Sequence, residues 1–499
     1  MDHRGQSQPH SAPNGCPAFA GEAKKNETPI IDAIDRLLAD SNIPDRHRER
    51  LRRHVLSQLV GFGQKTITGL LTTSGRQSND WSADYRLYAE ERINPVELFA
   101  AVRRTLVDSL PQGEPVVAAM DDTQIRHVGR KIPGVKYRRD PIGPAFRVNF
   151  ILAQRFVQIS LARDALGGQA RMVPVDFTHA PTPQKPRKND TEQQWKAYNE
   201  AAKACRLTTV GLKRLCVLRE QLDADGQHDR DLWISVDGSY TNGRVLKHLP
   251  GRTTVVGRIR NDAKLYDLPE PMHGRGRRRV YGQELPTPEA MRQDPNIPWL
   301  DVKAFAAGGE HTFRIKSIRP VRWRAAGGKL TLQLLIIAPL RYRKSRNSKL
   351  LYRKPTYLIC TDPEATVEQI LRTYIARWEI EVNFREEKSL VGVGQAQVRH
   401  PISTEAVPAM AAASYSMLLT AAGEVVGRTF ADEALPSPKW RDRSPLRAST
   451  QTLINHLRHE LWRPALNITH FATSGHPQTK SQKIALQLNS AIYYSVASG

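Results

Sequence analysis

The chain reads as an α/β protein, and three observations say so. Short apolar runs of strand length end in aspartates, at Val116–Asp122 and Leu232–Asp237, and helical stripes at 3.6-residue spacing flank them. One stretch, Tyr374-Ile-Ala-Arg377-Trp-Glu-Ile-Glu381-Val-Asn-Phe-Arg-Glu-Glu-Lys388, predicts a helix with acid and cations on one face. On a regular α-helix, residues seven apart return to within about 20° of one direction, so Tyr374, Glu381 and Lys388 form a stripe, with Arg377 one turn before Glu381.

The elements follow in order. Residues 1–27 are polar and lack apolar periodicity, which predicts a disordered tail. Residues 28–112 predict helices: Ile30, Ile31, Ile34, Leu37 and Leu38 recur at helix spacing, then Leu51, Val55, Leu56, Leu59 and Val60. Arg46, Arg48, Arg50, Arg52 and Arg53 lie on or before that second stripe, as a DNA-binding helical domain would need, although basic helix faces are commonly just solvated.

Residues 113–263 predict the first part of a core. After the Val116 strand, Phe146–Ala153 and Phe156–Ala162 read as the next two strands, residues 191–222 as helices, and Thr253–Arg260 as a fifth strand. Residues 264–355 break that rhythm with turn residues and short β-rich runs. Two arginine clusters lie inside it, Arg275–Arg279 and Arg341–Arg346, suited to a nucleic-acid backbone. Residues 356–402 hold the helix described above, seated by Ile370, Leu371 and Ile375. Residues 403–499 predict a helical C-terminal region, opening with a small-residue packing helix from Ala406 to Val426.

Composition narrows the partner. Lys plus Arg number 74 against 50 acids, a net charge of +24, which implies a polyanion, and nucleic acid gains affinity from basic residues by counterion release. No run of eighteen uncharged apolar residues occurs, and the first residues lack an apolar signal-peptide core, so the expectation is a cytoplasmic protein without a membrane role. Cys16, Cys205, Cys216 and Cys360 show no paired spacing of a zinc site. No Gly-x-Ser-x-Gly, phosphate-loop or dinucleotide fingerprint competes for the chemistry.

A carboxylate beside Arg, Lys and Tyr suits a place where a metal ion meets phosphate oxygens, and a hard cation such as Mg²⁺ is held by one or two protein carboxylates with phosphates and water. The aspartates at the two predicted strand ends are the candidate partners of Glu381. Glu379, Glu386 and Glu387 lie roughly 140 to 220° from Tyr374 around the helix and are set aside. Any one of these residues has an ordinary structural reading: a turn former for Asp237, an i,i+4 ion pair for Arg377 and Glu381, a core aromatic for Tyr374, a surface charge for Lys388.

The order Asp, Asp, Glu and the spacing Tyr-x2-Arg-x3-Glu-x6-Lys, matched at Tyr374, Arg377, Glu381 and Lys388, resemble bacterial cut-and-paste insertion-sequence transposases of the DDE type. The resemblance covers about residues 115–400. It implies a ribonuclease-H-like catalytic core interrupted by a β-rich insertion, with Asp122, Asp237 and Glu381 as catalytic metal ligands for two Mg²⁺ or Mn²⁺ ions. Asp122 is preferred to Asp121 because it directly precedes Thr123, as the first acid often does in that family. Tyr374, Arg377 and Lys388 are then DNA contacts, and an aromatic of the insertion, Trp323 ahead of Trp299, would stack on a displaced base. The implied partners are double-stranded DNA, as terminal inverted repeats and target, and a second copy of the chain in a DNA-bridged homodimer. The competing expectations are a ribonuclease-H-like nuclease without strand transfer, and a non-catalytic DNA-binding protein derived from a transposase.

Overall fold

The computed structural model describes residues 28–140, 143–144, 146–164, 170–271, 277–306, 309–343, 348–425 and 447–462. The expected tail, parts of both arginine clusters and much of the C-terminal region lie outside the described residues. Five helices come first: α1 (Pro29–Ala39), α2 (Asp45–Val60), α3 (Ile67–Thr73), α4 (Ser82–Ala89) and α5 (Pro95–Asp108). The stripes of α1 and α2 are buried as their spacing requires. Three of the five arginines of α2 pair within the helical layer: Arg52 with Asp35, while Arg50 and Arg53 flank buried Asp84, which also accepts from His54 at 2.9 Å. That leaves less of this face for DNA than its composition promised.

The central sheet follows, with β1 (Val116–Arg126), β2 (Lys136–Arg139), β3 (Phe150–Asp164) and β4 (Ala170–His179), then α6 (Glu192–Ala204), α7 (Leu207–Ala224), β5 (Leu232–Val236), α8 (Gly243–Leu246) and β6 (Thr253–Arg258). β1 pairs parallel with β5 and β5 with β6, whereas β3 pairs antiparallel with β1 and with β4. The order β4-β3-β1-β5-β6 is consistent with a ribonuclease-H-like core of mixed α/β class. Two predicted strands are one: Phe146–Ala153 and Phe156–Ala162 merge into the single long β3, and β4 is the next strand of the meander. The polar pair Gln154-Arg155 interrupts the apolar pattern without breaking the strand, because Gln154 is bonded by His127 at 2.9 Å and donates to the Pro133 carbonyl at 2.8 Å.

The turn-rich stretch contains β7 (Leu265–Tyr266), α9 (Pro288–Gln293), β8 (Leu300–Ala306), β9 (Gly309–Trp323), β10 (Leu332–Ile337), β11 (Arg341–Tyr342), β12 (Leu351–Tyr352) and β13 (Thr356–Cys360). β13 pairs with β6, β10 with β13 and β9 with β10, so these strands prolong the core sheet. Fully buried Lys316 donates to the carbonyls of Met291, Arg292 and Asp294, closing the C-terminal end of α9.

The remaining helices are α10 (Val367–Ala376), α11 (Trp378–Glu386), a π-helical segment Glu387–Val391, α12 (Pro401–Val425) and α13 (Thr450–Trp462). α12 is long and apolar enough to cross a membrane, yet most of it is buried inside the protein, against α1, α2, α5 and β4. α13 reaches back to the other end of the chain, where Glu460 accepts from the backbone N–H groups of Ile30 and Ile31 at 3.0 Å. It supplies the capping carboxylate that Thr28 does not, an interaction typically worth about 1 kcal/mol.

Burial pushes the Glu387 carboxyl up to about 8, against the opposing influences of Lys388 and a Gln158 hydrogen bond. An acid raised in the folded state binds more protons there than unfolded, so stability is fully present below about 4.5 and falls as pH rises towards 8. The urea midpoint is expected to drop across that window, and Glu387→Gln is expected to flatten the drop. Lys316→Met, which orphans three carbonyls, is expected to cost roughly 2–3 kcal/mol in the same urea titration.

Candidate active site

The register of β1 builds the site. Parallel pairing with β5 ends at Met120 opposite Val236, so Asp121 and Asp237 are the next residues on neighbouring strands, while antiparallel pairing with β3 carries β1 on to Arg126. The aspartates of β1 therefore stand mid-strand, at the point where β1 loses one neighbour, and not at a strand end.

Side chains alternate across a strand, so Asp121 and Asp122 face opposite ways. Val117 and Ala119, of the same parity as Asp121, pack with Tyr374, Ala376 and Ile380 of α10 and α11. Ala118 and Met120, of the same parity as Asp122, join the core shared with Leu215, Leu218 and Tyr240. Trp233 packs on the α10 side and Val236 on the other, which gives Asp237 the parity of Asp121. Asp121 and Asp237 are thus the pair that shares a face with the Glu381 helix. The neighbouring Thr123, on which Asp122 was chosen, carries no information about facing.

Arg377 ties this face together. Its buried guanidinium meets Asp121 Oδ2 at 3.2 Å and Glu381 Oε1 at 3.4 Å, and among the described residues its Nε has no hydrogen-bond partner. Glu381 is half exposed, whereas the competing acids are engaged elsewhere: Glu379 with Arg447 at 2.8 Å, Glu386 with Tyr415 and Thr450 at 2.6 Å, and Glu387 in the core.

Burial and the nearby charge of Asp237 push the Asp121 carboxyl up to about 7, with the backbone N–H of Asp122 and the Arg377 charge opposing. A buried carboxylate raised by a second one is a donor set that a divalent cation would neutralise, so these side chains fit a metal in kind. Among the described residues no group of three His, Cys, Asp or Glu side chains forms a ready-made metal cage. Asp237 is also a turn former: its two carboxylate oxygens accept from the N–H and hydroxyl of Ser239 at 2.8 and 3.0 Å.

Asp122 has its own surroundings on the opposite face. Burial raises its carboxyl, the Arg155 charge opposes this, and the charge of Asp237 raises it further. Tyr240, fully buried, sits close enough for all three aspartates to raise its hydroxyl, and it packs so tightly on α7 that a Cβ at Gly211 would come within 2.5 Å of the ring. Arg155 and Gln158 on β3, the latter opposite Asp121, and Arg138 on β2 were missed from sequence; the register of β3 against β1 and β2 is the signal that finds them.

The predicted stripe is divided. α10 closes at Ala376, and a π-helical segment begins at Glu387, so Lys388 does not lie on the regular helix that a seven-residue return assumes. Tyr374 is a core aromatic, packed among Trp233, Leu358 and Leu371. The Lys388 ammonium lies 6.0 Å from the Phe384 ring, and burial lowers its pKa, with the Glu387 charge opposing and the Arg126 charge adding to the shift. Trp323 ends β9, five strands from β1 and hence roughly 24 Å across the sheet, where it is half-buried against the core. Trp299 is covered by Lys316 and Arg314, at 4.7 and 5.3 Å from the ring.

The family model described as DDE superfamily endonuclease matches residues 36–329. That is more than half of the chain, and the chain belongs to this family. Membership implies a function of the nuclease or transposase type on DNA, in a family whose members typically use divalent metals. The match takes in Asp121, Asp122 and Asp237 and ends before Glu381. No curated protein matches the chain. Tyr374→Phe is expected to leave the thermal midpoint and DNA affinity at wild-type values, as a core ring whose hydroxyl has no hydrogen-bond partner among the described residues should; a loss of DNA affinity would return Tyr374 to the site.

Proposed function

We propose that the protein is a DNA transposase that cleaves at element ends and joins the freed strand to target DNA, with Asp121, Asp237 and Glu381 as its metal-holding carboxylates. Asp121 takes the place first given to Asp122. The observation that carries the reading is the shared face: Asp121 on β1 beside Asp237 just after the parallel strand β5, with Asp121 joined to a helical glutamate through one buried arginine.

The divalent ions, when bound, supply charge neutralisation at the attacking and leaving oxygens of phosphoryl transfer. Asp121, Asp237 and Glu381 would hold them. Arg377 contributes a fixed positive charge beside the carboxylates, and its unpartnered Nε–H is a donor suited to a phosphate oxygen. In the first step water oxygen bonds to phosphorus, the P–O3′ bond breaks and the 3′ oxygen leaves with a proton. In the second, that 3′-hydroxyl attacks a target phosphodiester, forming one P–O bond as another breaks, so no external energy source is needed. A DNA-bridged homodimer and terminal inverted repeats belong to this proposal.

Linear DNA carrying the sequences that flank the reading frame, incubated with protein and Mg²⁺ or Mn²⁺, should yield nicked and then joined products. Asp121→Asn, Asp237→Asn and Glu381→Gln should each lower the nicking rate at least about a hundredfold, a loss of about 2.7 kcal/mol of transition-state stabilisation, while Asp122→Asn retains most activity. Nicking that survives Glu381→Gln sinks the assignment. Nicking without joining would favour a nuclease, and binding without nicking a non-catalytic DNA-binding protein.

A further inference from the structure

The tongue formed by β2, the start of β3 and the segments joining them to β1 is absorbed by none of the foregoing chemistry. Between residues 126 and 155 it carries eight Lys and Arg against the single acid Asp140, and that acid is buried and paired with Arg126 at 2.7 Å. Large apolar side chains stand in solvent on it: Tyr137 is 58% exposed, Phe150 62% and Phe146 93%. Bare aromatics among cations are costly in water unless something covers them.

The register says where they face. Tyr137 lies opposite Leu152 and Arg139 opposite Phe150, so alternation places Tyr137, Arg139, Phe150 and Leu152 on one side. Along β3 that side continues through Gln154 and Phe156 to Gln158, the partner of Asp121. Eight residues of strand, about 27 Å, separate Phe150 from Gln158 on a single face. The tongue and the candidate site thus share one face of β3, with Gln154, Phe156 and Gln158 buried between them.

We propose that this tongue is a docking surface for unpaired nucleotides of a DNA strand, their bases stacking on Tyr137 and Phe150 and their phosphates meeting Arg139 and its basic neighbours. It rests on the reading of the protein as an enzyme acting on DNA, and names where the strand lies beyond the carboxylates. Every base has a π-face, so stacking beside cations holds a single strand without reading its sequence. Paired bases present no such face to an exposed ring, which separates this surface from one built for duplex.

The test is fluorescence anisotropy of the full chain, with EDTA present so that no cleavage intervenes. The probes are a fluorescein-labelled blunt duplex and the same duplex with a 3′ thymidine overhang. Wild type should prefer the overhang, and Tyr137→Ala/Phe150→Ala should lose at least about tenfold of that preference with blunt-duplex affinity unchanged. The conservative pair Tyr137→Phe/Phe150→Tyr should keep it. An unchanged preference in the alanine pair overturns the docking surface and leaves the enzyme reading standing, whereas a wild type that binds neither probe overturns both. Light scattering covers the remaining occupant: if the alanine pair turns a DNA-free dimer into a monomer while overhang preference persists, the tongue joins copies of this chain and the proposal falls.

Discussion

The in-register parallel pairing of β1 with β5 is the constraint on which the rest depends. Met120 opposite Val236 makes Asp121 and Asp237 neighbours on one face, and a slip of one residue would turn one of them into the core shared with α7. Such a slip would also expose one strand's apolar set, so burial on both faces of the sheet holds the register. The carboxylates are close because the core is correctly packed, at a cost visible in the raised Asp121 carboxyl.

Arg377 is the counterweight. Its position at the junction of α10 and α11 sends a buried cation between Asp121 and Glu381, where it offsets repulsion that would otherwise favour a protonated acid. A buried arginine with its Nε unpartnered among the described residues is expensive to leave so, and phosphate is a ligand that would complete it. The ion pairs that Arg377 makes and the phosphate contact proposed for it do not conflict.

Much of the arrangement was legible in the residues. The apolar runs before Asp121 and Asp237 are strands, the helix of Arg377 and Glu381 lies on the sheet, and the strand order is consistent with the core that the motif implied. Facing was the harder quantity. Asp121 and Asp122 are adjacent in sequence and opposite in space, and only the parity of Val117, Ala119 and Trp233 against α10 separates them. The stripe from Tyr374 to Lys388 assumes one regular helix, whereas α10 ends at Ala376 and a turn of π-helix begins at Glu387, just before Lys388. The two strands read from Phe146 onward merged because the hydrogen bonds that let Gln154 stay in a buried strand come from His127 and Pro133, remote in sequence.

The net charge of +24 took on a location in the same way. Arginines on α2, which looked like a nucleic-acid face, are engaged with Asp35 and Asp84 inside the helical layer. The β2–β3 tongue has one acid for its eight cations, and that acid pairs with Arg126. Charge left without internal partners is charge available to an external polyanion. β2, which carries Lys136, Arg138 and Arg139, pairs with the start of β3, and β3 runs unbroken from Phe150 to Gln158, the partner of Asp121. The proposed docking surface and the carboxylate face are thus joined through the paired strands β2, β3 and β1.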